Sequence, residues 1–245
     1  MSQSLSASNV LASVLAPPLS LNGTDPGDFA LFAPAGSAFG EYAGAAPAPA
    51  PSDLQRQLTI LFSDLSSSVG LAAEMDWQPY VQLMRELREL FRATVACHGG
   101  TIARMQGDGM LAVFGHAGHP GDDGYHAIRC ALALHGAVRA ISPDAPDASG
   151  AALHSGIYAG LTYVESGDLE RGRFDLVGSA PSLASRLSGL AGRNGILVAE
   201  QVIAARLEAF EVSERLTLAV KGWPSPLRAY RVLGLSASGL RPQKW

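Results

Sequence analysis

Apolar residues along this chain follow two patterns, short continuous runs and longer segments with a three- to four-residue period. A short continuous run is typical of a strand covered on both faces of its sheet. Gln57–Phe62 has this form, and shorter strands are predicted at Thr101–Met105 and Met110–Phe114. The longer period predicts an amphipathic helix, clearest over Trp77–Cys97, and Gly99-Gly100 end it.

The second half of the chain predicts further helices and strands. They are a helix starting at Asp122-Asp123, strands Ala152–Val164 and Phe174–Val177, a helix Ser179–Leu190, a strand Gly195–Ala199, a helix Glu200–Phe210, and a strand pair Val212–Val220 and Leu227–Leu233. In the helix Ser179–Leu190, we expect Leu183, Leu187 and Leu190 to face inward. The core order is strand, helix, strand, strand, helix, strand, which is the split β-α-β arrangement of ferredoxin-like folds. We therefore predict an α+β fold with a ferredoxin-like (βαββαβ) core and extra C-terminal strands and a helix.

The composition divides the chain into one domain and two tails. Residues 1–55 are rich in Ala, Pro, Ser and Gly and lack either period, so we expect a disordered N-terminal tail. The folded domain is predicted over 56–234, with 235–245 as a C-terminal tail. A domain of about 180 residues is large enough for one substantial core.

Charge and residue usage limit the partners. The net charge is −4 with no Lys/Arg block, so we expect no nucleic-acid partner. There is no apolar run near the roughly 20 residues of a membrane span, and the first basic residue is Arg56, so we expect a cytoplasmic protein. Cys97 and Cys130 lack metal-binding spacing and are predicted to be buried small hydrophobic residues. His135 is predicted to lie on a helix surface or at the core edge.

Two aspartates stand out because each lies at the end of a predicted strand, beside small residues. Asp64 leads into Leu65-Ser66-Ser67-Ser68, where a helix start would offer free N–H groups to a phosphate. Asp108 lies at the turn of the predicted hairpin, and it would reach the same edge if that hairpin pairs beside the first strand. Two carboxylates beside a phosphate-binding site are typical of Mg²⁺ binding and of in-line displacement at phosphorus. Taken singly, Asp64 could instead cap a helix and Asp108 could be a turn residue.

Five segments together carry a family resemblance. They are LTILFSDLSSSVG, HGGTIARMQGDGMLAVFG, DDGYHAIRCALALH, GRFDLVGSAPSLASRL and AVKGWPSPLRAYRV. In this order and spacing the chain resembles the class III nucleotidyl cyclase catalytic domain over about residues 56–234. The resemblance implies a head-to-tail homodimer with two interface sites, where a nucleoside triphosphate becomes a 3′,5′-cyclic monophosphate and pyrophosphate.

The resemblance also implies roles for single residues. Asp64 and Asp108 match the two metal-binding aspartates, with the Leu65 carbonyl as a further ligand, for two Mg²⁺ or Mn²⁺ ions per site. Arg186 matches the arginine that stabilises the pentavalent phosphate. Lys221 matches the lysine at the terminal phosphates, where Arg171 or Arg173 is a further candidate.

The base-reading residue is implied to be Asp175. In the family, the metal aspartates come from one chain, and Asp175, Arg186 and Lys221 come from the other. The segment Ser66, Ser67, Ser68, Val69 is implied to receive the phosphates.

Three positions depart from the family pattern. Arg104 stands where the family has a base-reading lysine, and Ser182 stands where it has a transition-state asparagine. Val69 lacks the hydroxyl of the usual threonine. ATP is the first expectation. GTP is an alternative because arginine pairs well with guanine, and a pyrimidine triphosphate is a further alternative.

The departures leave two other interpretations open. One is a catalytically weak pseudo-cyclase that binds nucleotide or only dimerises. The other is an unrelated ferredoxin-like binding domain, since a fold alone names no function.

Overall fold

The structure is a computed structural model that describes residues 55–66, 68–115, 122–141, 151–165, 175–237 and 239. The predicted tail, apart from Gln55, lies outside the described residues, as do Ser67, Arg171, Arg173 and Phe174. The elements are β1 Gln55–Leu65, α1 Ser68–Glu74, α2 Trp77–Cys97, β2 Thr101–Gln106, β3 Gly109–Phe114, α3 Asp123–Ile141, β4 Leu153–Glu165, β5 Asp175–Val177, α4 Ser179–Ala191, β6 Ile196–Ala199, α5 Glu200–Ile203, a 3₁₀ helix Ala204–Ala209, β7 Phe210–Val212, β8 Leu216–Leu218 and β9 Leu227–Leu235.

One mixed sheet organises these elements, with strand order β2-β3-β1-β4-β6-β9-β7. β5 pairs with β4 and β8 pairs with β9 off this path. β1 lies between β3 and β4 and is antiparallel to both. The first four strands therefore have the order β2-β3-β1-β4, with the long helices α2 and α3 between them in sequence, which confirms the predicted ferredoxin-like core.

The two faces of the sheet are covered differently. On β4, Ser155 contacts His135 of α3, whereas the next residue, Gly156, lies against the backbone of α4. Because alternate strand residues point to opposite faces, α3 lies on one face and α4 on the other. The α2–α3 face holds the larger apolar cluster, and a smaller one around Leu58 and Ile60 lies under α4.

The boundaries of the first long helix, Trp77–Cys97, are as predicted, whereas the C-terminal prediction is partly wrong. Glu200–Phe210 is not one helix, because the α-helix ends at Ile203 and Arg206 has non-helical backbone angles (φ −138°, ψ 30°). Arg206 Nε and Nη2 donate to the two carboxylate oxygens of Asp122, at 3.1 and 2.6 Å, and this contact holds the residue away from a helical course. The predicted strand Val212–Val220 is likewise two short strands, β7 and β8, both paired with β9.

Three further predictions about single residues are wrong. His135 is 3% exposed and lies in the core rather than at its edge. Cys97 is exposed, although Cys130 is buried as predicted. Leu190, predicted to face inward, is 47% exposed near the end of α4.

None of the described helices combines the length and the apolar character that crossing a bilayer would require.

Candidate functional site

Asp64 and Asp108 come together because β1 and β3 are neighbours. Asp64 is the second-last residue of β1, and the register pairs the preceding Ser63 with Met110 of β3. Asp108 lies two residues before Met110, in the loop that leads into β3. The two carboxyl groups are within hydrogen-bonding reach of each other. Asp64 does not cap a helix, since it belongs to a strand and the next helix begins at Ser68.

The Asp108 loop is a two-residue hairpin connection. Gln106 pairs with Gly109, which leaves only Gly107 and Asp108 between the strands. Gly107 has a φ of 62° at the first loop position, as a type II′ turn requires. This turn places Asp108 at the tip of the hairpin, beside the end of β1.

The carboxylate pair lies in an environment that opposes two negative charges. Burial, and then the negative charge of Asp108, raise the pKa of Asp64 above its ordinary value. The imidazole of His154 and the Leu65 N–H, which donates to Asp64 Oδ1 at 3.1 Å, act in the opposite direction. A cation at this pair would relieve the repulsion that the two carboxylates exert on each other.

A β-bulge directs Arg104 to the same side of the sheet. The β2–β3 register shifts between Ile102 and Arg104, so that Ala103 is an extra residue. Ile102 packs into the α2–α3 cluster, whereas Ala103 belongs to the cluster under α4. Without the bulge, alternation would place Arg104 with Ile102 on the opposite face. Arg104 is exposed and lines the groove described next.

A groove of about 670 Å³ lies between α4 and the open part of the sheet. Its volume is within the usual range for small-molecule sites. The groove is lined by Phe62, Asp64, Arg104, Gly107, Asp108, Gly109, Met110, Leu111, Pro181, Ser182, Ser185 and Arg186. A single chain therefore brings both aspartates, Arg104, Ser182 and Arg186 to one groove.

The helix α4 reaches this groove because it lies unusually close to β4. A methyl group at Gly156 would overlap the Ala184 carbonyl oxygen and the Ser188 nitrogen, so only glycine admits the helix at this distance. Ser182 and Arg186 are four residues apart, on one side of α4, and both are exposed.

Lys221 lies in a tight turn next to Arg186. The Trp223 N–H donates to the Val220 carbonyl at 3.0 Å, and Gly222 has a φ of 73°. A β-carbon placed on Gly222 would be 3.3 Å from Arg186 Nη1, so the turn touches the guanidinium group. Lys221 is exposed and lies beside Arg186, but it is not among the groove-lining residues.

The predicted phosphate segment has mixed hydrogen-bonding capacity. The Ser66 N–H donates to the Ala152 carbonyl at 2.7 Å, so it is not available to a phosphate. The Ser66 hydroxyl is buried and has no hydrogen-bond partner among the described residues. Ser68 and Val69 open α1, where the first N–H groups of a helix have no partner within the helix.

Asp175 is distant from the carboxylate pair within one chain. Its backbone begins β5 and pairs with Glu165 at the end of β4, whereas Asp64 pairs with His154 near the start of β4. Eleven residues of strand separate these positions on β4, or roughly 35 Å at about 3.3 Å per residue. The Asp175 side chain lies outside what the structure describes.

The chemistry of the carboxylate pair fits a divalent metal that also binds substrate. Among the described residues, no group of three or more His, Cys, Asp and Glu side chains could hold a metal by itself. Mg²⁺ commonly takes one or two carboxylates and completes its shell with phosphate oxygens and water. Asp64 and Asp108, with the Leu65 carbonyl nearby, are the residues that would hold such an ion.

Sequence reasoning missed three polar contacts behind the site. His154 Nδ1 lies 2.7 Å from Ser188 Oγ, on the α4 face of the sheet. On the other face, Ser155 Oγ lies 2.8 Å from His135 Nε2 and 2.7 Å from Ser63 Oγ. The partners are 20 or more residues apart in sequence, so no local pattern predicts any of these contacts.

The chain is similar to known proteins over about three quarters of its length. The family model of the adenylate and guanylate cyclase catalytic domain matches residues 51–234. Adenylate cyclase 1 of Rhizobium meliloti (strain 1021) is 28% identical over 187 residues, which are 74% of this chain and 28% of that protein. The chain spans less than a third of the length of the curated relatives it matches.

Solved structures show the same fold. The adenylyl cyclase CyaB from P. aeruginosa superimposes with a TM-score of 0.68 at 21% identity, covering 75% of this chain and 96% of that chain. The guanylyl cyclase Cya2 gives 0.67 at 24% identity, covering 75% and 94%. The match of the family model over most of the chain, together with this shared fold, shows that the chain belongs to the family of adenylate and guanylate cyclase catalytic domains.

Proposed function

We propose that this domain converts ATP to 3′,5′-cyclic AMP and pyrophosphate at two sites formed between two chains arranged head to tail. The observation that supports cyclase chemistry is the Asp64–Asp108 carboxylate pair in a groove whose volume suits a small-molecule substrate. The observation that supports a two-chain site is the distance along β4 between Asp64 and Asp175. A second chain in the opposite direction would bring its own Asp175 to the carboxylate pair.

The reaction is an in-line attack of the ribose 3′-hydroxyl on the α-phosphate, with pyrophosphate as the leaving group. When bound, two Mg²⁺ or Mn²⁺ ions would supply Lewis-acid polarisation of the phosphates and a more acidic 3′-hydroxyl. Asp64, Asp108 and the Leu65 carbonyl hold these ions in the proposal. The role of the carboxylates is consistent with the raised pKa of Asp64, since a cation offsets the repulsion that raises it.

The cationic side chains act on the phosphates directly. Arg186 donates to the α-phosphate oxygens as their charge develops, and a guanidinium suits this role because its donors are fixed in a plane. Lys221 neutralises the β- and γ-phosphates from the adjoining turn. The first N–H groups of α1, which have no partner within the helix, receive the remaining phosphate oxygens.

The base is read by Asp175 and Arg104 in this proposal. Asp175 accepts a hydrogen bond from the adenine amino group. Arg104 is the reason to test GTP beside ATP, because a guanidinium pairs with guanine O6 and N7. The bulge at Ala103 supports the involvement of Arg104, since it turns this side chain toward the groove.

The activity test is incubation of the purified chain with Mn²⁺ and each of ATP, GTP, CTP and UTP. Products are separated by liquid chromatography and identified by mass. We expect cyclic AMP to form fastest. Faster formation of cyclic GMP would move the assignment to GTP, and no cyclic product from any nucleotide would contradict the cyclase proposal.

The two-chain site is tested by mixing inactive variants. Asp64→Ala and Arg186→Ala chains should each be inactive alone, because each removes one half of every site. When the two variants are co-expressed, the dimers should recover about one quarter of the wild-type rate. Half of the randomly formed dimers contain one chain of each variant, and each of these has one intact site out of two. No recovery would place Asp64 and Arg186 in the same chain's site.

A catalytically weak nucleotide-binding domain is the second candidate, favoured by Ser182. Its hydroxyl is shorter than the asparagine amide of the family and has a different donor geometry. Nucleotide binding by calorimetry without turnover of any of the four triphosphates would favour this candidate over the cyclase.

A further inference from the structure

A histidine and a serine join the strand beside Asp64 to the helix that carries Arg186. His154 on β4 is the register partner of Asp64 on β1. Its Nδ1 lies 2.7 Å from the Oγ of Ser188, which is fully buried on α4, two residues after Arg186. This contact connects the strands that hold the carboxylate pair with the helix on the other side of the groove.

The direction of the hydrogen bonds follows from the single proton of the serine hydroxyl. The Ser188 hydroxyl donates to the His154 carbonyl oxygen at 3.1 Å. Its Oγ is then the acceptor for Nδ1–H of His154. Two hydrogen bonds between the same two residues fix the ring tautomer and also the position of α4 along β4 at this point.

The packing around this pair leaves little room for α4 to shift. Gly156, two residues after His154, faces α4, and a methyl group there would overlap the backbone of Ala184 and Ser188. Helix and strand therefore touch through their backbones, with no layer of side chains between them to absorb a displacement. The neighbouring residue His154 also lies close enough to Asp64 to act on its carboxyl group electrostatically.

We propose that His154 is a positioning residue that, through Ser188, holds α4 against the strands of the carboxylate pair and so sets the placement of Ser182 and Arg186. The proposal rests on the proposed cyclase function for its effect on rate, but not for its effect on α4. It holds whether Arg186 serves the metal pair of its own chain or that of a second chain, because in both cases α4 must keep its position on the sheet.

The test uses His154→Leu, Ser188→Ala and the double variant in the full chain. Each single variant should lower kcat about tenfold, as expected for losing a buried hydrogen bond to a positioned group, with little change in the KM for nucleotide. The double variant should be no worse than the poorer single variant, because both remove the same contact. Additive losses, or a wild-type kcat in folded Ser188→Ala, would overturn the proposal.

A rescue and two controls separate positioning from general damage. His154→Asn keeps a side-chain donor near the Nδ1 position and should retain most of the rate that His154→Leu loses. Ser213→Ala and His98→Leu remove a serine and a half-buried histidine whose hydrogen bonds lie away from the groove. Both should keep the wild-type kcat. A tenfold loss in either would show that the effect is not specific to the His154–Ser188 contact and would contradict the proposal.

Amide hydrogen exchange gives a readout that does not need turnover. The amides of residues 182–188 should exchange faster in His154→Leu and Ser188→Ala than in the wild type, while those of α3 remain unchanged. Unchanged exchange in α4 would contradict the positioning role. If the wild type has no cyclase activity, the proposed function fails, and the exchange rates alone still decide whether His154 positions α4.

Discussion

The two faces of the central sheet differ in how completely they are covered, and β1 contributes to both. On one face, Leu61 and Leu65 lie in the large cluster under α2 and α3. On the other, Ile60 lies under α4, but the cover ends near Phe62 and Asp64, which line the groove. The same strand thus builds a core on one side and leaves a cavity on the other, because one helix covers less of the sheet than two.

This difference explains where polar residues can serve chemistry. On the fully covered face, polar groups contact each other inside the core, as Ser63 Oγ and His135 Nε2 do through Ser155, while His135 Nδ1 is buried without a partner among the described residues. On the half-covered face, Asp64 remains partly accessible, and burial and then the negative charge of Asp108 raise its pKa. Substitutions on the two faces should therefore have different consequences, activity on one and stability on the other.

The largest expected effect is on the half-covered face. Asp64→Ala should lower turnover by more than about 100-fold. Asp64 is proposed to bind the metal directly, and losing even an outer-shell partner of a metal costs up to about 100-fold. The fold should persist, since Asp64 is only partly buried and sits at the end of β1. Cyclic nucleotide formation and thermal unfolding measure the two effects. Asp76→Ala, an exposed aspartate before α2 without a side-chain capping bond, is the control. Retained activity in Asp64→Ala would disprove the metal assignment.

Ser182→Asn should have the next largest effect, in the opposite direction. A missing transition-state donor typically costs about 2.7–4 kcal/mol. Restoring the family's amide should therefore raise kcat by about 100-fold or more. Ser179→Asn, at the exposed start of the same helix, controls for a general effect of the substitution on α4. If turnover by Ser182→Asn stays at the wild-type level, the serine is not the reason for weak catalysis.

On the fully covered face, His135 should control stability in acid. Burial lowers its pKa to about 4, below its ordinary 6.5. Between these two pH values the unfolded chain therefore binds a proton that the folded chain does not bind. The free energy of unfolding is highest above pH 6.5 and falls as the pH drops toward 4. The loss is on the order of 3 kcal/mol. His135→Leu should flatten this decline, measured by urea unfolding between pH 4.5 and 7.

The control for His135 is His98→Leu. His98 is less buried and its pKa is lowered by burial too, so its removal should change the slope less. Equal acid sensitivity of the wild type and His135→Leu would contradict the prediction. Activity above pH 6.5 should follow stability in both variants, since neither side chain lines the groove.

The contrast between the faces also explains what could be predicted from the sequence. Local apolar patterns predict the Trp77–Cys97 helix and the β1 strand. The positions of Asp64 and Asp108 beside predicted strands predict that they meet once β1 and β3 pair. His135 was misplaced because its partners, Ser155 and Ser63, come from strands that only the tertiary fold brings beside it.

Other misses have different physical causes. The bulge at Ala103 was not predicted, because Thr101–Met105 alternates too weakly to show an extra residue. The helix prediction over Glu200–Phe210 followed local propensity, which the Arg206–Asp122 ion pair overrides. The second case depends on a contact with a residue distant in sequence, since Asp122 and Arg206 are 84 residues apart.

Asp108→Asn should produce the smallest effect on stability, and it should be a gain. Burial, and then the negative charge of Asp108, raise the pKa of Asp64, so ionised Asp64 costs the folded state free energy at neutral pH. The folded chain holds the Asp64 proton more strongly than the unfolded chain, so this penalty shrinks as the pH falls toward 3.8. The neutral amide should therefore raise Tm near pH 7 and lose that advantage in acid.

The gain is limited because Asp64 is partly exposed and solvent screens the repulsion. A gain of about 1 kcal/mol would raise Tm by about 2–4 °C in a domain of this size. Saturating Mn²⁺ should stabilise the wild type more than Asp108→Asn, since the ion and the amide relieve the same repulsion. Asp76→Asn should leave Tm unchanged. A lower Tm for Asp108→Asn, with no loss of Mn²⁺ stabilisation, would mean that the two carboxylates do not act as a pair.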